Sequence, residues 1–168
     1  VETADGWEPD PVPPREIDGS TYVVKRYRPR IEGLFARIER WTSNSGDVHW
    51  RSYSKDNILT IYGKDDGSRI YDPKDPHRIF SWLSSETRDD KGNAILYQYK
   101  PEDGTGVDLT LACERNRGPA DDPRRKANRY LKRIHYGNRT PLLDDEGRRP
   151  RFLTHDNIAG ADWMFEVV

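Results

Sequence analysis

Through most of the chain hydrophobic and polar positions alternate with period two, and short polar turns interrupt the alternation. Residues 22–28 (YVVKRYR) have strand composition and stop at Pro29. Over residues 34–41, Leu34, Ala36 and Ile38 alternate with Phe35, Arg37 and Glu39. Residues 48–53 place Val48 and Trp50 on one face, His49 and Arg51 on the other. Residues 58–62 read as a short strand. The clearest hairpin spans 79–100, where IFSWLSSETR and NAILYQYK flank Asp89-Asp90-Lys91-Gly92. In it Ile95, Tyr97 and Tyr99 share a face, and Gly92 suits the left-handed position that closes such a loop. Looser copies of this unit surround Asn44-Ser45-Gly46-Asp47, Lys64-Asp65-Asp66-Gly67 and Asp144-Asp145-Glu146-Gly147. Alternation resumes over 130–136, ahead of a turn at Gly137-Asn138, and again in the final stretch, where Trp163, Phe165 and Val167 share a face.

The pattern predicts an all-β fold, an antiparallel hairpin/meander sheet with a short partly helical insertion. Prolines 9, 11, 13 and 14 make residues 1–20 an extended arm. Residues 21–168 form the sheet segment. Residues 101–128 are the insertion, with helical turns over 108–117 and 123–130. Residues 72–76, with two prolines, and the polar stretch 142–150 are loops.

Composition thins the picture. Apolar residues are 33% of the chain, or about 36% counted with Gly in place of Tyr. An ordinary soluble domain carries ~45–50%. Five Trp and nine Tyr fill part of the gap. One sheet with one dry aromatic face fits this supply, with neighbouring chain providing further burial. The chain opens on Val1 and closes inside a strand-like run, so a segment of a longer protein is expected.

Charge removes several function classes. The net charge is −1 with 34% charged residues of mixed sign, so there is no global basic field for nucleic acid. The single Cys113 excludes an internal disulfide and argues against structural zinc. No apolar run approaches the ~18 residues of a membrane span.

The run Tyr27-Arg28-Pro29-Arg30-Ile31-Glu32-Gly33-Leu34-Phe35-Ala36-Arg37-Ile38-Glu39-Arg40-Trp41 resembles the N-terminal region of the SpvB family, the Salmonella virulence plasmid B proteins. It is similar also to the B component of insecticidal toxin complexes (TcaC/TcdB type). The resemblance continues through His49-Trp50-Arg51, Ser54-Lys55-Asp56-Asn57, Asp89-Asp90-Lys91-Gly92-Asn93 and Tyr97-Gln98-Tyr99. It resumes at Asn128-Arg129-Tyr130-Leu131-Lys132-Arg133-Ile134, Tyr136-Gly137-Asn138 and Trp163-Met164-Phe165-Glu166-Val167-Val168. It implies a secreted toxin component whose β-sheet, related to RHS/YD repeats, forms a shell around a cytotoxic cargo. The implied partners are the rest of the parent chain, a C-type component and an A-type pore component, with no nucleic acid and no direct membrane insertion. The Salmonella protein carries a separate ADP-ribosyltransferase domain downstream. Its Glu-x-Glu signature is absent here, since no two glutamates lie two apart.

The residues offer little catalytic chemistry, and the expectation is a non-enzyme with no catalytic, cofactor or metal residues. None of His49, His77, His135 and His155 has metal-pair spacing. The acidic pairs Asp65/Asp66, Asp89/Asp90, Asp121/Asp122 and Asp144/Asp145 suit turn-holding better than paired-carboxylate hydrolysis. Arg124, Arg125, Lys126, Arg129, Lys132 and Arg133, beside Arg115 and Arg117, form a basic cluster, read as a solvated strip or a cargo or surface patch. Trp50 and Trp82 are candidates for an aromatic surface. The alternative function is therefore a self-contained glycan- or host-surface-binding module.

Overall fold

A meander needs only local pairing, and the chain folds as one. The computed structural model describes residues 13–17, 19–31, 33 and 35–168, and the backbone of 2–3 and 6–7. Strands β1 (Glu2–Thr3) and β2 (Gly6–Trp7) make a two-residue ladder. The main sheet uses β3 (Arg15–Ile17), β4 (Ser20–Tyr27), β5 (Arg37–Ser43), β6 (Val48–Tyr53) and β7 (Leu59–Tyr62). After an excursion through β8 (Arg69–Asp72) and β9 (Asp75–Trp82), it continues with β10 (Ser84–Arg88), β11 (Ala94–Pro101), β12 (Arg129–Asn138) and β13 (Trp163–Val167). The nine strands run in the order β13-β12-β11-β10-β7-β6-β5-β4-β3, each antiparallel to its neighbours. The all-β meander is as the alternation predicts.

Four local expectations change. Residues 79–88 are two strands in two sheets, because Leu83 turns the chain: its N–H donates to the Ser68 carbonyl and its carbonyl accepts from Gly63. Residues 72–76 are a tight hairpin, with Asp72 opposite Asp75 and the Asp72 carboxylate accepting from the Lys74 N–H. Residues 15–17 of the expected arm join the sheet, whereas residues 1, 4–5, 8–12 and 18 lie outside the described residues, as does Leu34. Gly137-Asn138 closes β12 instead of turning out of it. Helix α1 (Ala112–Arg115) and a 3-10 turn at Pro123–Lys126 occupy the link between β11 and β12.

The buried face overturns a larger expectation. Across the register, Glu39 stands opposite Arg51, Arg51 opposite Ile61, Ile61 opposite Glu86, and Glu86 opposite Leu96. Glu39, Arg51, Glu86, Arg88 and His49 are all buried on this face beside Trp41, Leu59 and Ile61. Trp50 lies on the opposite, half-exposed face. The dry face is therefore charged, and most of the aromatics expected there line the wetter one.

The cover is residues 139–161, a polar strap that includes the 142–150 loop and helix α2 (His155–Ala159). It leaves β12, crosses the sheet and returns to β13, its ends tied by Arg139 N to Asp162 O and Thr140 N to Ala161 O. Leu142, Leu153 and Ala161 pack on Ala94 and Leu96, with Ile158 and Trp163 at the margin. Phe152 meets Tyr22 and His49 at ring distances of 5.8 and 5.6 Å. Arg88 donates to the carbonyls of Pro150 (2.9 Å) and Arg151 (3.4 Å), and Lys64 to that of Leu153 (3.0 Å). Backbone oxygens of the strap thus satisfy charged side chains of the sheet.

Gly92 holds one end of this cover. It has φ +89°, and its carbonyl accepts from Leu142 N (2.9 Å) and Asn138 Nδ2 (2.8 Å). A Cβ there would stand 2.8 Å from Leu142 N. Gly92→Ala combines left-handed backbone strain with a backbone clash, and should lower unfolding free energy by about 2 kcal/mol. Urea unfolding that is unchanged in the variant refutes the strap's docking at this point.

His49 makes the charged face acid-sensitive. Burial, and then the Arg51 guanidinium, push its pKa down to about 3. Its Nε2 accepts from Arg51 Nε at 3.1 Å, which requires the neutral ring. The unfolded chain, with a His pKa of about 6.5, binds the extra proton first. Stability from this group is full above pH 6.5 and is lost as pH falls toward 3. Between pH 6.5 and 5 the loss should be about 2 kcal/mol. Denaturant unfolding at several pH values should show this slope in the wild type and a flatter one in His49→Gln; equal slopes would contradict the assignment.

Candidate functional site

Among the surfaces available for function are the sheet's edges, its outer face and the insertion. Among the described residues β13 pairs only with β12, and β3 only with β4. Along β13, Met164, Phe165 and Val167 are each about half exposed. Phe165 stacks on Tyr136 at 4.9 Å, so the apolar edge is preorganised. Its polar neighbour Glu166 accepts from His135 Nε2 (2.9 Å) and pairs with Arg133 (3.0 Å). An open strand edge of this kind is a template for further strand pairing.

On the outer face the structure brings the two candidate tryptophans together. Trp50 and Trp82 meet edge to face at 6.1 Å, and Tyr27 lies 5.2 Å from Trp50. Trp82 reaches this position from β9, donating from Nε1 to the Val48 carbonyl at 3.2 Å. Gly63 permits the approach, because the indole lies where its Cβ would be. The excursion is pinned by Arg69, which is buried and holds Asp47 through two bonds of 2.5 and 3.0 Å. That bond to Arg69 keeps the Asp47 carboxyl below its ordinary range. Both tryptophans are half-buried, which makes them a supported cluster and not a free platform.

The basic cluster does not form one patch. Arg125 is buried, paired with the Glu114 carboxylate and donating to the carbonyls of Glu114 (3.2 Å) and Gly118 (3.0 Å). It builds the insertion. Arg124 is exposed but clamps Asp122. Arg129 caps the carbonyls of Lys126, Ala127 and Asn128, and Arg133 is paired with Glu166. Lys126 and Lys132 remain as exposed charges with no ion pair among the described residues. Sequence proximity overstated the cluster because Arg125 turns inward.

The acidic pairs act in turns. Asp89 Oδ1 accepts from the N–H groups of Lys91 (2.9 Å) and Asn93 (2.8 Å), and Asp144 Oδ1 from Glu146 (3.1 Å) and Arg148 (2.8 Å). Partial burial opposes ionisation of Asp89, but the Asn93 and Lys91 donors outweigh it and lower its pKa. His77 and His155 are exposed and His135 bonds Glu166, so the four histidines share no site. Cys113 is exposed on α1. The residues that sequence reasoning missed are Glu39, Arg51, Glu86 and Arg88. That Glu39 shares a face with Trp41, two residues on, was visible from the period of two, but charge argued for solvent.

Comparison with known proteins places this geometry. The family profile of SpvB, the Salmonella virulence plasmid 65kDa B protein, matches residues 4–168. The chain is 35% identical over 149 residues to the Mono(ADP-ribosyl)transferase SpvB of Salmonella typhimurium, covering 88% of this chain and 23% of that protein. The Salmonella dublin protein of that name matches equally. The chain thus spans about a quarter of the length of the curated relatives it matches. Among solved structures, the N-terminal domain of effector protein SpvB from Salmonella typhimurium strain LT2 superposes with TM-score 0.67 at 34% identity, over 84% of this chain and 43% of that one. TcdB2-TccC3-Cdc42 superposes with TM-score 0.68 at 29% identity, over 95% of this chain and 7% of that one. The Photorhabdus luminescens Tc holotoxin pore gives TM-score 0.65 at 30% identity, over 92% and 7%.

Proposed function

Since the chain belongs to the SpvB family of Salmonella virulence plasmid 65kDa B proteins, we propose that it is a non-catalytic wall segment of a secreted toxin component, part of a β-sheet shell that encloses and delivers a cytotoxic cargo. The observation that carries this reading is the open meander: nine strands one layer thick, with a preorganised apolar edge at β13. A superposition over 95% of the chain onto TcdB2-TccC3-Cdc42 supports the same reading. In it the sheet continues edge to edge into the parent chain, a C-type component completes the enclosure, and an A-type component receives the cargo.

The ADP-ribosyltransferase activity in the relatives' name is not carried over. The chain covers 23% of those proteins and lacks paired glutamates at Glu-x-Glu spacing. Turn geometry occupies the acidic pairs that hydrolysis would use.

Two experiments test the proposal. The 168-residue chain should self-associate with rising concentration in light scattering, and Phe165→Lys with Val167→Lys should return it to monomer. A wild-type chain that stays monomeric at high concentration argues against edge pairing. In the complete component assembled with its C-type partner, the same double variant should expose enclosed cargo to protease at least about tenfold faster. Unchanged protection sinks the shell reading. A second reading, host-glycan binding at the cluster of Tyr27, Trp50 and Trp82, predicts array signals that Trp50→Ala abolishes.

A further inference from the structure

Between the strap and the ends of β5, β6 and β7 lies a cavity of about 590 Å3. That size is typical of small-molecule sites. Five arginines line it, Arg37, Arg51, Arg148, Arg149 and Arg151, against two acids, Asp90 and Asp144.

Most of these groups are spent. Asp144 holds its own turn and pairs with Arg148 at 3.7 Å. Arg149 donates to the carbonyls of Asn57 and Arg88 and to Asn57 Oδ1. Asp90 accepts from Asn57 at 3.4 Å, and Arg37 Nε lies 3.2 Å from Glu39.

Arg51 is different. It is fully buried, and its Nε donates to His49. Its ring contacts, 3.8 Å from the centroid of Trp41 and 4.4 Å from that of Phe152, satisfy the flat faces of the guanidinium. They leave the edge donors unused. Both terminal nitrogens lack a hydrogen-bond partner among the described residues. The Tyr53 hydroxyl is near enough to favour the charged form but completes no bond of good geometry with either nitrogen. A buried guanidinium with unspent donors is expensive, and proteins seldom leave one so.

We propose that this cavity binds a small oxyanion, a phosphate or carboxylate group, held in bidentate fashion by the terminal nitrogens of Arg51, with Arg37 and Arg151 at the mouth. The planar fork of arginine matches two oxygens of one group, which a lysine does not. Trp41 and Phe152 fix the fork in place before the anion arrives.

Calorimetric titration of inorganic phosphate and of acetate into the 168-residue chain, at constant ionic strength set with chloride, tests this. Saturable binding of one anion per chain is expected, together with a concentration-dependent rise in Tm. Tighter phosphate binding assigns the phosphate class, tighter acetate binding the carboxylate class. Arg51→Lys should abolish binding. Arg151→Gln, at an exposed position, should weaken it about tenfold, and so should Arg37→Gln, whose Tm is measured alongside because it also removes an ion-pair partner of buried Glu39. No saturable heat from either anion up to tens of millimolar overturns the site. So does wild-type affinity in the Arg37→Gln, Arg151→Gln double variant.

Discussion

Arg51 lies between the rings of Trp41 and Phe152, and the cover of the sheet depends on that sandwich. Trp41 belongs to β5 and Phe152 to the strap, so one guanidinium joins the two layers. Burial pushes the Arg51 pKa down to about 10, which still leaves it charged at neutral pH. Desolvated cation–π contacts are worth roughly 2 kcal/mol or more each, about what a buried aliphatic side chain contributes. A chain with few aliphatic residues thereby gains interlayer attraction from aromatic and charged ones. The arrangement is conditional: removal of either ring leaves an uncompensated buried charge.

Other contacts across the same gap follow this logic. Arg88, between Glu86 and two strap carbonyls, and Lys64, between Glu86 and Leu153, turn the strap's backbone into a row of acceptors. The apolar cluster around Leu96, Leu142 and Leu153 is confined to the β11 side. One layer of sheet and one strap make a wall, and little of the chain is committed to a central core. The SpvB membership and the superpositions on Tc complexes fit this antiparallel sheet architecture.

Much of this was legible in the residues. Strand β6 matches its period-two reading at both ends, and Asp89 with Gly92 marked the turn between β10 and β11 correctly. The family was visible in short ordered matches. What failed did so for tertiary reasons. Period two shows which residues share a face but not which face is covered, and Glu39, Arg51 and Arg88 looked like solvent positions. The strap reads as polar loop because its hold on the sheet lies in backbone carbonyls, which have no sequence signature. The break at Leu83 depends on hydrogen bonds to Ser68 and Gly63, far from the local pattern. Arg125 looked like part of a basic surface until Glu114 and two carbonyls drew it inside.

The strap also bears on the order of folding. Pairs such as β5–β6, β6–β7 and β10–β11 close through short turns, whereas the strap reaches Asn57 and Arg88 over separations of 92 and 61 residues. Loop-closure entropy places those distant contacts late. Until the strap lands, the face beneath it carries hydrated charges of both signs, Glu39 and Glu86 with Arg51 and Arg88, among its apolar side chains, so its exposure costs less than that of a wholly apolar face. The charges that seem wasteful in the finished wall guard the nascent one against clumping.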